Sequence, residues 1–217
     1  MTLVFNKTEK NKCNYNKHIE FKIRNPIWIN HPDSSIDLSI FNIEPLIKKS
    51  NLAGKSIFFK AIDKSFIPID SIWQTFSFLE EIIMFGYPRG IRDTFNNSPI
   101  ARTGFTATQP KLDYQSKNEF LIDIAVYKGS SGSPIFLKRE RLNKLRNNNI
   151  VNLSIKKEYY FVGVLYSGSC YNLKGEKIVF KTIDKLKTNS NSPKILINLG
   201  NVIKTTELLG FYSLIFD

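Results

Sequence analysis

Short runs of β-branched and aromatic residues, broken by clusters of Gly, Pro, Asn, Asp and Ser, recur along the whole chain. Such runs read as strands separated by turns. The pattern predicts strands at Thr2–Phe5, Ile19–Ile23, Leu38–Ile43, Ser56–Ala61, Glu81–Gly86 and Ile100–Ala107. It predicts further strands at Glu119–Ile124, Pro134–Leu137, Tyr159–Tyr166, Lys177–Ile183 and Ile195–Asn198. Helical spacing is scarce. Glu44–Lys49 fits one short turn of helix, and in "NVIKTTELLGFYSLIF" the residues Val202, Ile203, Leu208, Leu209 and Phe211 fit one apolar helical face. The expected class is therefore all-β with a short C-terminal helix. Between two of the strands, "RERLNKLRNNNIVNLSIKK" (139–157) is basic and Asn-rich, and reads as a solvated hairpin insertion.

Composition narrows the classes open to such a chain. A length of 217 residues with 42% hydrophobic and 13% aromatic content is enough for a packed core and excludes a disordered polyelectrolyte. Lys and Arg outnumber Asp and Glu by 31 to 19, a net charge of +12. That excess favours weak, non-specific contact with nucleic acid, but no interleaving of basic and aromatic residues forms a stacking platform. Two cysteines, Cys13 and Cys170, cannot make a disulfide framework. With His18 and His31 as the only histidines, a multi-histidine metal site is excluded, and no motif calls for a cofactor. The N-terminus lacks the apolar run of a signal peptide, and no segment reaches transmembrane length, so a cytoplasmic protein with no membrane partner is expected. "NLAGKS" (51–56) ends like a phosphate-binding loop, but Lys49 stands where the first glycine belongs, so no phosphate cradle is expected there.

The candidate chemistry lies in "LIDIAVYKGSSGSPIFLK" (121–138), around Gly129, Ser131 and Gly132. A nucleophilic serine needs a tight turn on which its own N–H, and that of the glycine two residues before, face a developing oxyanion. Gly129 permits the peptide orientation a side chain would hinder, and Pro134 opens the next strand where no ladder donor is lost. A Gly/Ser-rich hairpin turn is the plainer reading of the same residues.

The surroundings of this turn resemble the chymotrypsin-fold, trypsin-like serine peptidases, particularly their compact bacterial branch. There a "DA…PGxSGSPVF" segment is followed by a "GV…G" strand, similar to Asp123–Phe136 and "YYFVGVLYSG" here. "WINHPDSSIDLSIFNI" is similar to that family's "HPxxDLAVL" segment, and "GYPRG", "TGFTAT" and "NLGNVIKTTELLGF" extend the likeness over nearly the whole chain. The resemblance implies a double β-barrel, with a first-barrel remnant over 1–60 and a second barrel over 61–217. It implies Ser131 as nucleophile, Asp37 as the triad aspartate, and Gly129 and Ser131 as oxyanion amides. Tyr166, Ser167 and Gly168 would line the substrate cleft. Ala125 would form the base of the first specificity pocket, uncharged and so unsuited to Lys or Arg, and Leu165 supplies no histidine for an acidic residue. Asp123 is expected to be a structural hydrogen-bonder below the cleft. Asp33 and Asp37 can each also cap the turn before Leu38.

The mechanism of such an enzyme needs a histidine, and neither one here fits the family's place for it. Between His18 and Asp37 there is room for one strand and a loop, where the family has at least two strands. His31 lies in the "NHP" loop beside Asp37, on the expected rim of the cleft. Both read as solvated or loop-packing histidines. The first barrel is thus expected to be incomplete, its opening strands and histidine turn missing, and the chain to be the remainder of a longer protease. The function expected is that of a serine endopeptidase homologue acting on polypeptide, inactive or incomplete as given. The alternative is a non-catalytic peptide- or nucleic-acid-binding module on the same fold.

Overall fold

In the computed structural model, residues 1–10, 12–147, 150–172, 177–181, 194–212 and 214 are described. Strand at 47% against helix at 16% makes the protein mostly β. Two compact units divide the chain. One holds Met1–Ile62, Gly90–Ile100 and Gly210–Asp217; the other holds Asp63–Arg89 and Ala101–Leu209.

The first unit contains β1 (Thr2–Glu9), β2 (Lys12–Lys22), β3 (Trp28–Asn30), β4 (Ser39–Phe41), α1 (Glu44–Leu52) and β5 (Ile57–Phe58). β1 lies between β2 and β5, antiparallel to both. Its register with β2 jumps between Asn6↔His18 and Lys7↔Asn14, which leaves residues 15–17 of β2 without partners on β1. Such extra residues bend a strand and increase its twist. Two side-chain hydrogen bonds also tie the Gly90–Ile100 segment of this unit to β1. Asn97 Nδ2 donates to the Val4 carbonyl and Asn6 Nδ2 to the Asn96 carbonyl, each at 3.1 Å. β3 and β4 form a separate two-stranded ribbon. β3 has no counterpart among the strands expected from sequence, because "WIN" is short and shows no alternation.

α1 begins with Pro45 in its first turn, where the missing N–H is not needed, and carries a Glu44–Lys48 ion pair at 2.7 Å one turn apart. The chain leaves it through Gly54 at φ +65°, the left-handed conformation that glycine adopts at helix ends. "NLAGKS" is therefore the exit of a helix. A phosphate loop requires the entrance.

In the second unit, α2 (Asp70–Trp73) precedes β6 (Glu81–Gly86), β7 (Ile100–Thr106) and β8 (Glu119–Asp123), followed by β9 (Pro134–Asn147), β10 (Ile150–Asn172), β11 (Lys177–Lys181) and β12 (Lys194–Lys204). These strands form one sheet in the order β11-β10-β12-β8-β7-β6-β9, and β9 pairs back onto β10. Six strands thus run in a closed cycle of pairings, with β11 outside it, an arrangement compatible with a β-barrel fold. Alternate residues supply the core, as the two-residue strand period requires. Ile82 and Met84 of β6, Phe120 and Ile122 of β8, and Ile135 and Leu137 of β9 are all at most 2% exposed. Trp73 and Phe76 meet edge to face at 5.2 Å and join this core.

A buried ion pair closes one side of the core. Glu80 pairs with Arg139 of β9. Arg139 also donates to the Thr75 hydroxyl (2.7 Å) and carbonyl (2.6 Å), and its guanidinium lies 4.8 Å over the Phe76 ring. The Ser77 amide donates to Glu80 at 2.6 Å. Burial alone would raise the Glu80 carboxyl; hydrogen bonds from Arg139 and the Ser77 amide, with the Arg139 charge, outweigh it and hold the group below its ordinary range.

Two expected elements come out differently. β9 and β10 pair from Val164↔Pro134 to Ile150↔Asn147, with one register shift between Phe161 and Gly163, far beyond Pro134–Leu137 and Tyr159–Tyr166. The basic segment is thus a hairpin, but one made of the strands themselves. Charged cross-strand partners such as Glu158↔Arg139 and Lys157↔Glu140 sustain it, and apolar alternation cannot reveal a ribbon of that kind. The expected C-terminal helix starts later than its apolar spacing suggested. Thr205–Phe211 is a 3₁₀ helix and Tyr212 and Leu214 are α-helical, while Val202 and Ile203 belong to β12 and are buried there. Their two-residue packing against β8 and β10 overrides the helical spacing.

Candidate active site

Ser131 sits on the turn that joins β8 to β9 by way of Ile124–Ser133, within the second unit. Backbone bonds lock this turn from three sides. The Ser130 amide donates to the Tyr127 carbonyl (3.0 Å) and the Ser133 amide to the Ser130 carbonyl (3.2 Å). From the β6 end, the Arg89 amide donates to the Lys128 carbonyl at 2.9 Å. From β10, the Leu165 carbonyl accepts the Gly132 amide (2.8 Å) and the Leu165 amide donates to the Ser133 carbonyl (3.0 Å). Both glycines of the turn have positive φ, +89° at Gly129 and +83° at Gly132. The φ of Gly129 strains any other residue, and a Cβ there would stand a tight 3.1 Å from the Arg89 nitrogen. The Gly129 amide makes no hydrogen bond with another described residue.

Ser131 is half-buried, and its hydroxyl donates to the Tyr166 carbonyl at 2.7 Å. A bulge aims that carbonyl. β10 passes from Leu165↔Val202 directly to Ser167↔Asn201, which leaves Tyr166 unmatched on β12. The Tyr166 phenol donates to Glu119 at 2.8 Å. Ser167 and Gly168 are buried, and Asn201 Nδ2 donates to the Ser167 hydroxyl at 2.9 Å. The structure therefore brings Gly129, Ser131, Tyr166, Ser167 and Gly168 to one place.

Ala125 adjoins them on the same connection, half-buried, its carbonyl accepting from Arg102 Nη1 at 2.5 Å. Leu165 is fully buried in the core. Asp123 is corrected: it is exposed and makes no side-chain hydrogen bond among the described residues, so it is no structural hydrogen-bonder. Its place at the last residue of β8 puts the carboxylate on the outer side of the strand.

Asp37 belongs to the first unit, as do both histidines. It is exposed and precedes β4. Asp33 caps the turn, its Oδ1 accepting the Ser35 amide at 2.8 Å. Hydrogen bonding from Ser35 holds the Asp33 carboxyl below its usual range. His31 is buried at 8% exposure, which excludes the solvated reading and leaves the loop-packing one. Its Nδ1 lies 3.1 Å from the Asp33 amide nitrogen and 3.3 Å from the Asp33 carbonyl oxygen. The ring meets Phe211 edge to face at 5.2 Å, and Nε2 lies so close to Gly210 that no side chain fits at that position. His18 is half-buried, with Nε2 2.8 Å from the Tyr15 carbonyl at the β2 irregularity.

Sequence reasoning passed over Arg102, the charged side chain closest to the base of the expected specificity pocket. Its signal was the alternation of "IARTGFT", which puts Arg102 on the inward face with Gly104 and Thr106. Among the described residues, no group of three or more His, Cys, Asp and Glu is placed to hold a metal. No described helix is long and apolar enough to cross a membrane. No protein-family model matches the chain, and no curated protein or solved structure matches it either.

Proposed function

We propose that this chain is a trypsin-like serine peptidase homologue on a chymotrypsin-like fold, with Ser131 as nucleophile and the Gly129 and Ser131 amides as oxyanion donors. The observation that carries the reading is the turn itself. A serine stands two residues after a glycine at φ +89°, whose amide is uncommitted among the described residues, beside a bulged strand that offers the Tyr166 carbonyl. In acyl transfer the Ser131 oxygen would bond to the substrate carbonyl carbon, and the two amides would hold the oxygen as it gains charge. Ala125, Tyr166, Ser167 and Gly168 line the groove for the polypeptide, and Asp37 is the family's aspartate by its sequence setting.

Attack also requires a base to take the hydroxyl proton, and neither His18 nor His31 stands in the sequence where the family has its histidine. On that ground we propose weak or absent turnover, with neither histidine as base. The second reading is a peptide-binding module that keeps the groove without the reaction; the +12 charge adds a weak, non-specific affinity for nucleic acid. A fluorophosphonate reporter separates these. The wild-type protein should label slowly, Ser131→Ala not at all, and His18→Ala and His31→Ala as slowly as wild type. Equal labelling of wild type and Ser131→Ala would overturn the nucleophile. Rapid labelling abolished in one histidine variant would make that histidine the base.

A further inference from the structure

Arg102 projects from the inward face of β7 toward the connection that follows β8. Strand pairing leads it there: Phe105 is opposite Asp123, and Gly104 packs so closely on Asp123 and Ile124 that a Cβ would collide with both. Two positions further back, the guanidinium reaches the Ala125 carbonyl at 2.5 Å and lies 4.8 Å over the Tyr127 ring. One of its five donors is thereby used, and one flat face. The side chain is half-buried and pairs with no carboxylate among the described residues. A partly desolvated cation with donors to spare is an unusual thing to leave unpaired, since burial of a charge is compensated by a partner of opposite sign.

The Ala125 carbonyl that Arg102 reaches belongs to the groove of the reading proposed above, in which Ile124–Ser131 would form one wall and Ser167 and Gly168 of β10, paired with Asn201 and Gly200 of β12, the other. We infer that Arg102 makes this groove select an acidic side chain, glutamate or aspartate, at the residue whose carbonyl faces Ser131. The inference rests on the groove proposed above. It assigns the free N–H edge of the guanidinium to the substrate carboxylate, which would accept two parallel N–H bonds. Ala125 and Tyr127 hold the guanidinium in place from behind, so little side-chain freedom is lost on binding. Lysine and arginine would be repelled by the same charge.

The test needs no catalysis. Acetyl-Ala-Ala-Pro-Xaa-amide peptides with Xaa Glu, Gln or Lys are titrated into ¹⁵N-labelled protein, following the amide signals of Gly129, Ser131 and Gly168. The Glu peptide should bind about tenfold more tightly than Gln, the gain of one charge-assisted pair, and Lys more weakly still. Arg102→Gln should erase the Glu preference, Arg102→Lys should restore part of it, and 1 M NaCl should reduce it in the wild type. If Arg102→Gln does not fold, the Lys variant and the salt series alone decide the matter. Equal binding of all three peptides would overturn the inference while the groove stands. A Glu preference that survives in Arg102→Gln, or is indifferent to both salt and Arg102→Lys, would also overturn it. Failure of every peptide to shift these signals would remove the groove, and the inference with it.

Discussion

Replacing Arg139 by Met tests whether the Glu80–Arg139 pair anchors β9 to the turn before β6. The Glu80 and Arg139 side chains are only 10% and 15% exposed, so the pair counts as buried. Removing one member leaves a carboxylate in a poorly solvated place with the Ser77 amide as its remaining strong donor. Such losses run at about 3–5 kcal/mol. Methionine retains much of the packing on Phe76, which places the expected loss near the lower end, about 3 kcal/mol. Urea denaturation at pH 7 measures it as a lower midpoint with an unchanged slope. A second signature comes from pH. In the wild type the Glu80 carboxyl is held below its unfolded value of about 4.3. Its contribution is therefore present above about pH 4.3 and is lost as pH falls through the lowered folded value. Without Arg139, burial is no longer outweighed and the folded value rises, so the variant's penalty exists at neutral pH and fades on acidification. The stability gap between the two proteins should narrow from pH 7 to pH 4. A loss under about 0.5 kcal/mol, or a gap that widens in acid, would refute this account of the pair.

Phe120 is fully buried among the strands of the closed cycle, so Phe120→Ala should cost about 3–5 kcal/mol, read from the same urea transition. Gly129→Ala should cost about 1–3 kcal/mol from its φ of +89° and the nearby Arg89 nitrogen, and should suppress fluorophosphonate labelling of Ser131 even where the protein remains folded.

The sheet of the second unit was legible because its strands alternate. Ile82 and Met84, and Phe120 and Ile122, announce a buried face with no help from their neighbours in space. The long β9–β10 ribbon was not, since its pairing rests on charged partners that look like a loop in one dimension. Val202 and Ile203 show the reverse failure. Adjacent apolar residues suit a helix locally, and only their partners Leu165, Val164 and Phe120, far away in sequence, decide for strand. The Ser131 turn was visible through its glycines, because positive φ leaves a compositional mark. Arg102 and the Tyr166 bulge left none that a list of motifs would hold. A bulge exists only relative to a second strand, and an arginine becomes notable only once its lack of a carboxylate can be seen.

The order of strands in the sheet has a consequence for biosynthesis. β12, the last strand, lies between β8 and β10, both of which leave the ribosome before it. While the chain is being made, these two earlier strands face each other across a gap, each with a row of unpaired amides and carbonyls. Pairing among β6, β9 and β10 can proceed, but the cycle stays open until Lys194–Lys204 has emerged. From the emergence of β10 until that of β12, the nascent protein thus carries an adhesive slot in its main sheet, which is filled by β12 or by a stray strand.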